Sequence, residues 1–393
     1  MNTPDQDGRF QSAEKKADLP PLLQPPVIEP PSLKPQSDSP QPQRSLLGKI
    51  CRGVYSVVEW CFGILSLPAA LAAISVIPVV NLLSLGYLLH ISGTIARTGR
   101  LRDGFIGVRR AGRLGMIIVS IWLVFWPARL LAALRDSAVI VNPHRIGGWS
   151  IALWILTALT CLLIIFGIWL ALGAPKKFAH ARDAIWETMA GLHLPFLFWL
   201  GARGFAGTLL WLLIPVGLMI LASNIASNAG AFVSLLGGLL LMGVLLLLPF
   251  QQAWFARENR FRAFIEVGAV CRLAGRGPFK FWLALTLTLV LAVPLFLLKV
   301  ELTPTEITWL PALFFVVFGL PARMMVGWAM GRANRREASR YFVLRWLCRL
   351  VALGLALPVV FSYVVILFLS QFISWNGTLS LLEQHAFLMP SPF

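Results

Sequence analysis

Residues 229–250 read AGAFVSLLGGLLLMGVLLLLPF, twenty-two positions without a charged side chain. A helix rising about 1.5 Å per residue would cover about 33 Å over that length, which matches the roughly 30 Å hydrocarbon core of a bilayer. Within it, Leu239 to Leu248 is apolar apart from Gly243, so the two-residue alternation of a barrel strand is missing. Backbone groups in hydrocarbon must be satisfied inside their own segment, and the segment is therefore expected to be a transmembrane helix.

Six further segments have the same character: 115–135, 150–173, 204–223, 281–299, 308–328 and 349–373. The whole chain of 393 residues is 58% hydrophobic and only 13% charged. Soluble domains carry about 25% charged residues, so a water-exposed globule is excluded. The fold class that follows is all-α, a polytopic transmembrane helix bundle with seven clear spans.

Region 54–96 is less regular, because Pro68, Pro78 and Asn81 interrupt 43 mainly apolar residues. Arg44, Lys49 and Arg52 precede it, and Arg97, Arg100 and Arg102 follow, so the chain should return to the side from which it entered. Two short helices turning near Pro78 are favoured, giving nine crossings; a re-entrant hairpin would give seven, and one broken span eight.

Charge sets the orientation. The total is +17, yet residues 1–53 hold seven Lys and Arg against six Asp and Glu. The excess lies in short connections. Segments 97–114, 174–203, 252–280 and 329–347 contain twenty-one Lys and Arg together, whereas 136–149, 224–228, 300–307 and 374–393 contain only Arg145. Basic loops stay on the cytoplasmic side, so a cell inner membrane location is expected with the N-terminus cytoplasmic and the C-terminus opposite. This distribution leaves no basic stripe on a soluble domain, and no nucleic-acid partner is expected.

Residues 1–45 contain ten of the 26 prolines, including Pro20-Pro21, Pro25-Pro26 and Pro30-Pro31. Proline lacks an amide donor and restrains its predecessor, so a disordered, partly polyproline-II cytoplasmic tail is expected, able to dock a protein partner. No apolar signal core stands in it, and it is expected to be retained. The transmembrane domain then occupies 46–373 and a short tail 374–393.

The basic loops carry aromatic residues as well. Across 252–272, Trp254, Phe261, Phe264, Ile265 and Val267 fall mainly on one helical flank and Arg257, Glu258, Arg260 and Arg262 on the other, with Glu258 and Arg262 at i,i+4. An interfacial amphipathic helix on the cytoplasmic side is expected here, with others at Phe178 to Met189 and Arg340 to Leu347 and a shorter one at Leu101 to Arg110. Arg257, Arg260, Arg262, Arg332, Arg335 and Arg336 become candidate contacts for anionic lipid headgroups. A loose repeat accompanies them, a proline-bearing apolar helix running into Arg-rich sequence: Pro249 to Arg257, Pro321 to Arg332, and more distantly Pro78 to Arg97.

Two stretches, IPVVNLLSLGYLL from Ile77 to Leu89 and QAWFARENRFRAF from Gln252 to Phe264, are similar to recurrent motifs of an uncharacterised family of prokaryotic polytopic membrane proteins. A proline-led GYLL helix, an AREnRF amphipathic helix and a span opening after Gly-Pro, here Gly277-Pro278, carry the resemblance across about residues 60 to 300. It implies membership of a membrane-protein family without an activity, cofactor or catalytic residue to carry over.

Chemistry is sparse. The five cysteines lack metal-ligand spacing and read as free apolar thiols. No phosphate-binding loop, dinucleotide fingerprint or zinc-protease motif is present, and no enzyme activity, metal or cofactor is expected. Ionisable and polar residues at membrane depth are the remaining candidates: Glu59, Asn81, Arg129, Gln251 and Gln252, with Arg129 able to pair with Glu59. Arg323, Lys299 and Glu301 stand close enough to segment ends to snorkel. A structural or accessory membrane protein is the leading functional expectation and a permease the alternative.

Overall fold

Glycine and serine at helical spacing from Asn81 to Thr98 leave α2 (Asn81–Thr98) slim enough to be enclosed on almost every side. It is the helix on which the bundle closes. α2 packs against α5 (Leu194–Ser223), α6 (Asn228–Glu258) and α9 (Trp309–Asn334). A Cβ at Gly86 would lie 1.8 Å from the Leu197 carbonyl oxygen, and one at Gly201 would lie 1.8 Å from that of Leu82. The backbones of α2 and α5 therefore touch directly, an approach only small residues permit. On its other side α2 runs parallel to α9, with Ser92 against Gly327 and Gly99 against Gly331.

The computed structural model describes residues 46–141, 146–172, 193–225, 227–300, 309–336, 342–373, 377–383 and 385. The Pro-rich tail 1–45, the basic stretch Phe178 to Met189, Glu301, Arg340 and most of the tail 374–393 lie outside the described residues. Contacts divide the chain into Met1–Arg52 and Gly53–Phe393. Of the first unit only helical backbone from Leu46 is described. Within the second stand the remainder of α1 (Leu46–Ser75), then α2, α3 (Val108–Val141), α4 (Ile146–Leu172), α5, α6, α7 (Val267–Arg276), α8 (Pro278–Val300), α9, α10 (Phe342–Ile373) and the single turn α11 (Ser380–Glu383). The described residues contain no strand.

Seven described helices are long and apolar enough to cross a bilayer: α3, α4, α5, α6, α9 and α10, together with Ser56–Ser75 of α1. The molecule is thus a multi-pass transmembrane helix bundle. The sequence reading favours nine crossings, counting 281–299 and two helices in 54–96, and the described helices give seven, or eight with the bent α7–α8 pair. α8 adds an eighth candidate together with α7, from which it is bent by 111°. Region 54–96 forms two helices, α1 and α2, joined through Val76–Val80, with Val79 in the left-handed region at φ 68°. α2 is not among the seven, because Asn81, Ser84, His90, Ser92 and Arg97 dilute its apolar content.

α1 leans on α2 through Leu67, Leu71 and Ala72, and Ser84 Oγ donates to the Leu71 carbonyl at 3.0 Å. α3 approaches α1 where Gly112 and Gly115 face Gly63 and Ser66. Outside this core, α3 and α4 expose Ile117, Ile118, Trp122, Trp154 and Leu162. Continuous apolar surface of this kind is stable only when lipid covers it.

The region 252–272 departs from the expected single amphipathic helix. α6 runs through Glu258 and stops at Asn259, whose φ of 54° is left-handed. Arg260 is then extended, and a 3-10 turn, Phe261–Phe264, precedes α7. The break carries Phe264 inward, where it stacks on Phe255 with centroids 4.7 Å apart. Glu258 consequently faces Arg257 and Arg260, each at 3.5 Å.

The loose repeat has a structural counterpart. Ala96-Arg97-Thr98-Gly99-Arg100 ends α2 as Ala256-Arg257-Glu258-Asn259-Arg260 ends α6. Gly99 (φ 64°) and Asn259 (φ 54°) are both left-handed caps whose N–H bonds back to the helix. Arg100 and Arg260 are both extended, and 3-10 turns follow at Leu101–Gly104 and Phe261–Phe264. Gly331-Arg332-Ala333-Asn334-Arg335 closes α9 with the same residue pattern, but without the left-handed cap. Glycine and asparagine tolerate the left-handed cap that stops a helix, and arginine suits its negative end.

Candidate functional site

Helices carrying an internal proline bring the interior polar residues together. Pro321 precedes Arg323 by two positions in α9, and Pro249 precedes Gln252 by three in α6. Each proline removes one intrahelical hydrogen bond, which lets the helix bend near the polar residue that follows. Arg323 is buried, and its Nη1 donates to Gln252 Oε1. Gln252 Nε2 donates to Thr208 Oγ1 at 2.5 Å, and Thr208 Oγ1 donates to the Gly204 carbonyl at 2.7 Å. One polar chain therefore joins α9, α6 and α5 through the middle of the bundle.

No ion pair to Arg323 occurs among the described residues. A guanidinium in so apolar a setting is expensive without a partner, and one bond to a neutral amide offsets only part of that cost. This residue is the correction to the snorkelling expectation. Arg323 stands eleven residues before the end of α9, about 16 Å along the axis, and its side chain turns into the bundle. The expected span 308–328 ends soon after Arg323, so the sequence carries no signal of this depth.

The other sequence candidates fall in separate places. Glu59 is buried on α1 and accepts from Arg113 Nε at 2.6 Å. Its partner is therefore not Arg129, which lies on the exposed side of α3 two residues beyond Pro127. Asn81 is buried at the start of α2, and its Oδ1 has no hydrogen-bond partner. Gln251 is fully buried, and neither of its amide atoms is partnered. Of the five interior candidates, only Gln252 is joined to the Arg323 chain.

The second feature lies at the C-terminal ends of α2, α6 and α9. Arg97 Nη1 donates to the Arg257 carbonyl at 2.9 Å and to that of Ala256 at 3.4 Å, so the end of α2 caps the end of α6. The Arg335 guanidinium lies over Gly99. Arg203 of α5 donates to Asn259 Oδ1 at 2.8 Å. Arg257 sits 4.8 Å above the Trp254 ring, whose indole N–H donates to Glu266 at 2.9 Å. Arg257 is thus half-buried in the fold, whereas Arg260, Arg262, Arg332, Arg335 and Arg336 are exposed. Sequence reading groups these six residues together, and the structure separates one of them as a packing residue.

No group of three or more His, Cys, Asp or Glu side chains that would hold a metal lies among the described residues. The chain matches no family model, no curated protein and no solved structure in comparisons with known proteins.

Proposed function

We propose that this chain is an integral membrane protein of structural or accessory role, held with its basic end against anionic lipid headgroups. The observation that supports it is the gathering of Arg260, Arg262, Arg332, Arg335 and Arg336, all exposed, at the ends of helices whose other exposed surface is largely apolar. Each basic residue close to an anionic leaflet contributes about 1 kcal/mol, and the contribution is screened by salt. On this reading the basic end faces the cytoplasm of a cell inner membrane and the C-terminus faces the opposite side. The Pro-rich tail then serves as a docking peptide on the same side. The role requires no catalysis, and the similarity of two stretches to an uncharacterised family adds no activity to it.

Reconstitution of the full chain in nanodiscs of phosphatidylcholine, with and without phosphatidylglycerol, tests the reading. The wild type is expected to retain phosphatidylglycerol selectively on extraction. A variant with R260Q, R262Q, R332Q, R335Q and R336Q is expected to lose that selectivity; equal retention by both would overturn the reading. Orientation is tested by fusing a reporter that is active only outside the cytoplasm after Phe393, with activity expected.

A permease is the second reading, favoured by the buried Arg323–Gln252–Thr208 chain. A cation without a carboxylate partner in the bundle interior suits a passing anion. Liposome flux across a panel of small anions is expected to fall in R323Q if this reading holds. Unchanged flux for every anion would remove it.

A further inference from the structure

A cavity of about 630 Å³ opens beside the basic end of the bundle, between α1, α2, α3 and α5 and the 3-10 turn that follows α2. Cavities that hold a discrete small molecule are typically about 300–1,000 Å³. Five of its lining residues are cationic or can become so: Arg102, Arg109, Arg110, His90 and His193. None of the described residues lining it is acidic. Aromatic side chains share the lining. Trp60 meets Phe105 with centroids 5.9 Å apart, and His90 stands edge-on to Phe196 at 5.5 Å.

The fold builds these walls before any ligand arrives. Tyr87, buried in α2, donates its hydroxyl to the Ile106 carbonyl at 2.5 Å and so fixes the segment that carries Arg102 and Phe105. His193 is held in the left-handed region at φ 47°, unusual for a residue other than glycine or asparagine, immediately before α5 begins. The first turns of α3 and α5 both border the cavity. Helix starts offer backbone N–H groups without intrahelical partners and a partial positive charge, which adds to the field of the three arginines. Three arginines and several aromatic side chains lining one cavity select a molecule with an anionic head and an apolar body.

We propose that this cavity binds the phosphate-bearing head of one anionic amphiphile, with Arg102, Arg109 and Arg110 holding phosphate oxygens and Trp60, Phe105 and Phe196 covering the start of the apolar part. Arginine forks match phosphate oxygens bidentately, which a diffuse basic surface does not achieve. The inference rests on the reading above only in placing this end at headgroup level. It differs in requiring one saturable site, separate from the exposed arginines of α6 and α9.

The test uses the full chain in neutral detergent with dioctanoyl phosphatidic acid as probe, followed by thermal shift and by native mass spectrometry. One molecule is expected to bind, with dioctanoyl phosphatidylcholine bound at least about tenfold more weakly, corresponding to at least one charge-assisted contact. R102Q/R109Q/R110Q is expected to lose about tenfold or more in affinity, and R332Q/R335Q/R336Q is expected to leave it unchanged. Equal weakening by both triples would overturn the proposal in favour of diffuse attraction. Equal phosphatidylglycerol retention by the wild type and the surface variant, with one molecule still bound at this site, would instead overturn the earlier reading and leave this one standing. Inorganic phosphate stabilising the protein as strongly as the lipid would identify a free phosphate compound as the ligand and remove the amphiphile. Should the cavity triple fail to fold, a photoactivatable phosphatidic acid on the wild type decides the matter. Labelling confined to peptides containing Phe105 and Phe196 is expected, and labelling elsewhere only would sink the proposal.

Discussion

Arg323 and Gln251 differ in what burial does to a polar group. Arg323 has its amide acceptor on Gln252, but that bond offsets only part of the cost of burying the guanidinium, so Arg323→Met is expected to lower stability by less than about 1.5–3 kcal/mol, the value of a charge-assisted bond. Adding Gln252→Leu to that variant is expected to cost less than the sum of the two single changes, which a double-mutant cycle of thermal unfolding in detergent would show. Gln251 carries an unpartnered amide in the interior, and its replacement by Met is expected to stabilise by about 1–3 kcal/mol. A gain in stability accompanied by loss of flux would mark that amide as one kept for a ligand. Glu59 offers a third test, because its partner is Arg113. Exchanging the two charges, E59R with R113E, is expected to recover the expression lost in E59R, whereas E59R with R129E is not. Depth and sign alone made Arg129 look like the partner in the sequence. The side of α3 on which it sits was not legible there, since α3 is apolar around most of its circumference and has little periodicity to read.

At the scale of elements, the long apolar spans were legible because exclusion of charge is a property of each segment by itself. Region 252–272 was not, since the same residues suit a continuous amphipathic helix and a helix broken at Asn259. The outcome depends on Phe264 stacking on Phe255 and on both packing with Leu85 and Leu89 of α2 and Leu200 of α5, partners met only in the assembled bundle. The tight crossing of α2 and α5 also depends on partners. Gly86→Ala or Gly201→Ala would drive a methyl group into the facing backbone, and each is expected to cost about 1–3 kcal/mol or more by overpacking. Gly243→Ala in α6, where a Cβ would meet nothing within 4 Å, is expected to be neutral or to stabilise by up to about 1 kcal/mol. Thermal unfolding of the three variants side by side separates packing from helix propensity.

Across the whole molecule, the sequence reading reached the all-helical bundle and its long apolar spans, whereas the nine crossings it favours exceed the seven described helices, or eight with the bent α7–α8 pair, that are long and apolar enough to cross. The interior site is half visible in the sequence: Gln252 is a candidate there, while Arg323 is read as snorkelling because its distance from a helix end depends on where α9 stops. A lipid-soluble photoreactive probe is expected to label 108–172 heavily, where α3 and α4 turn apolar side chains outward, and to spare 81–98. Heavy labelling of α2 would contradict its enclosure. That enclosure bears on how the chain is made. Ribosomes deliver α2 long before α5, α6 and α9 exist, so a half-synthesised molecule holds a polar-dotted helix with no protein around it. Chains released early are therefore expected to be recognised as unfinished and degraded, and successful biogenesis depends on completing translation at least through Asn334.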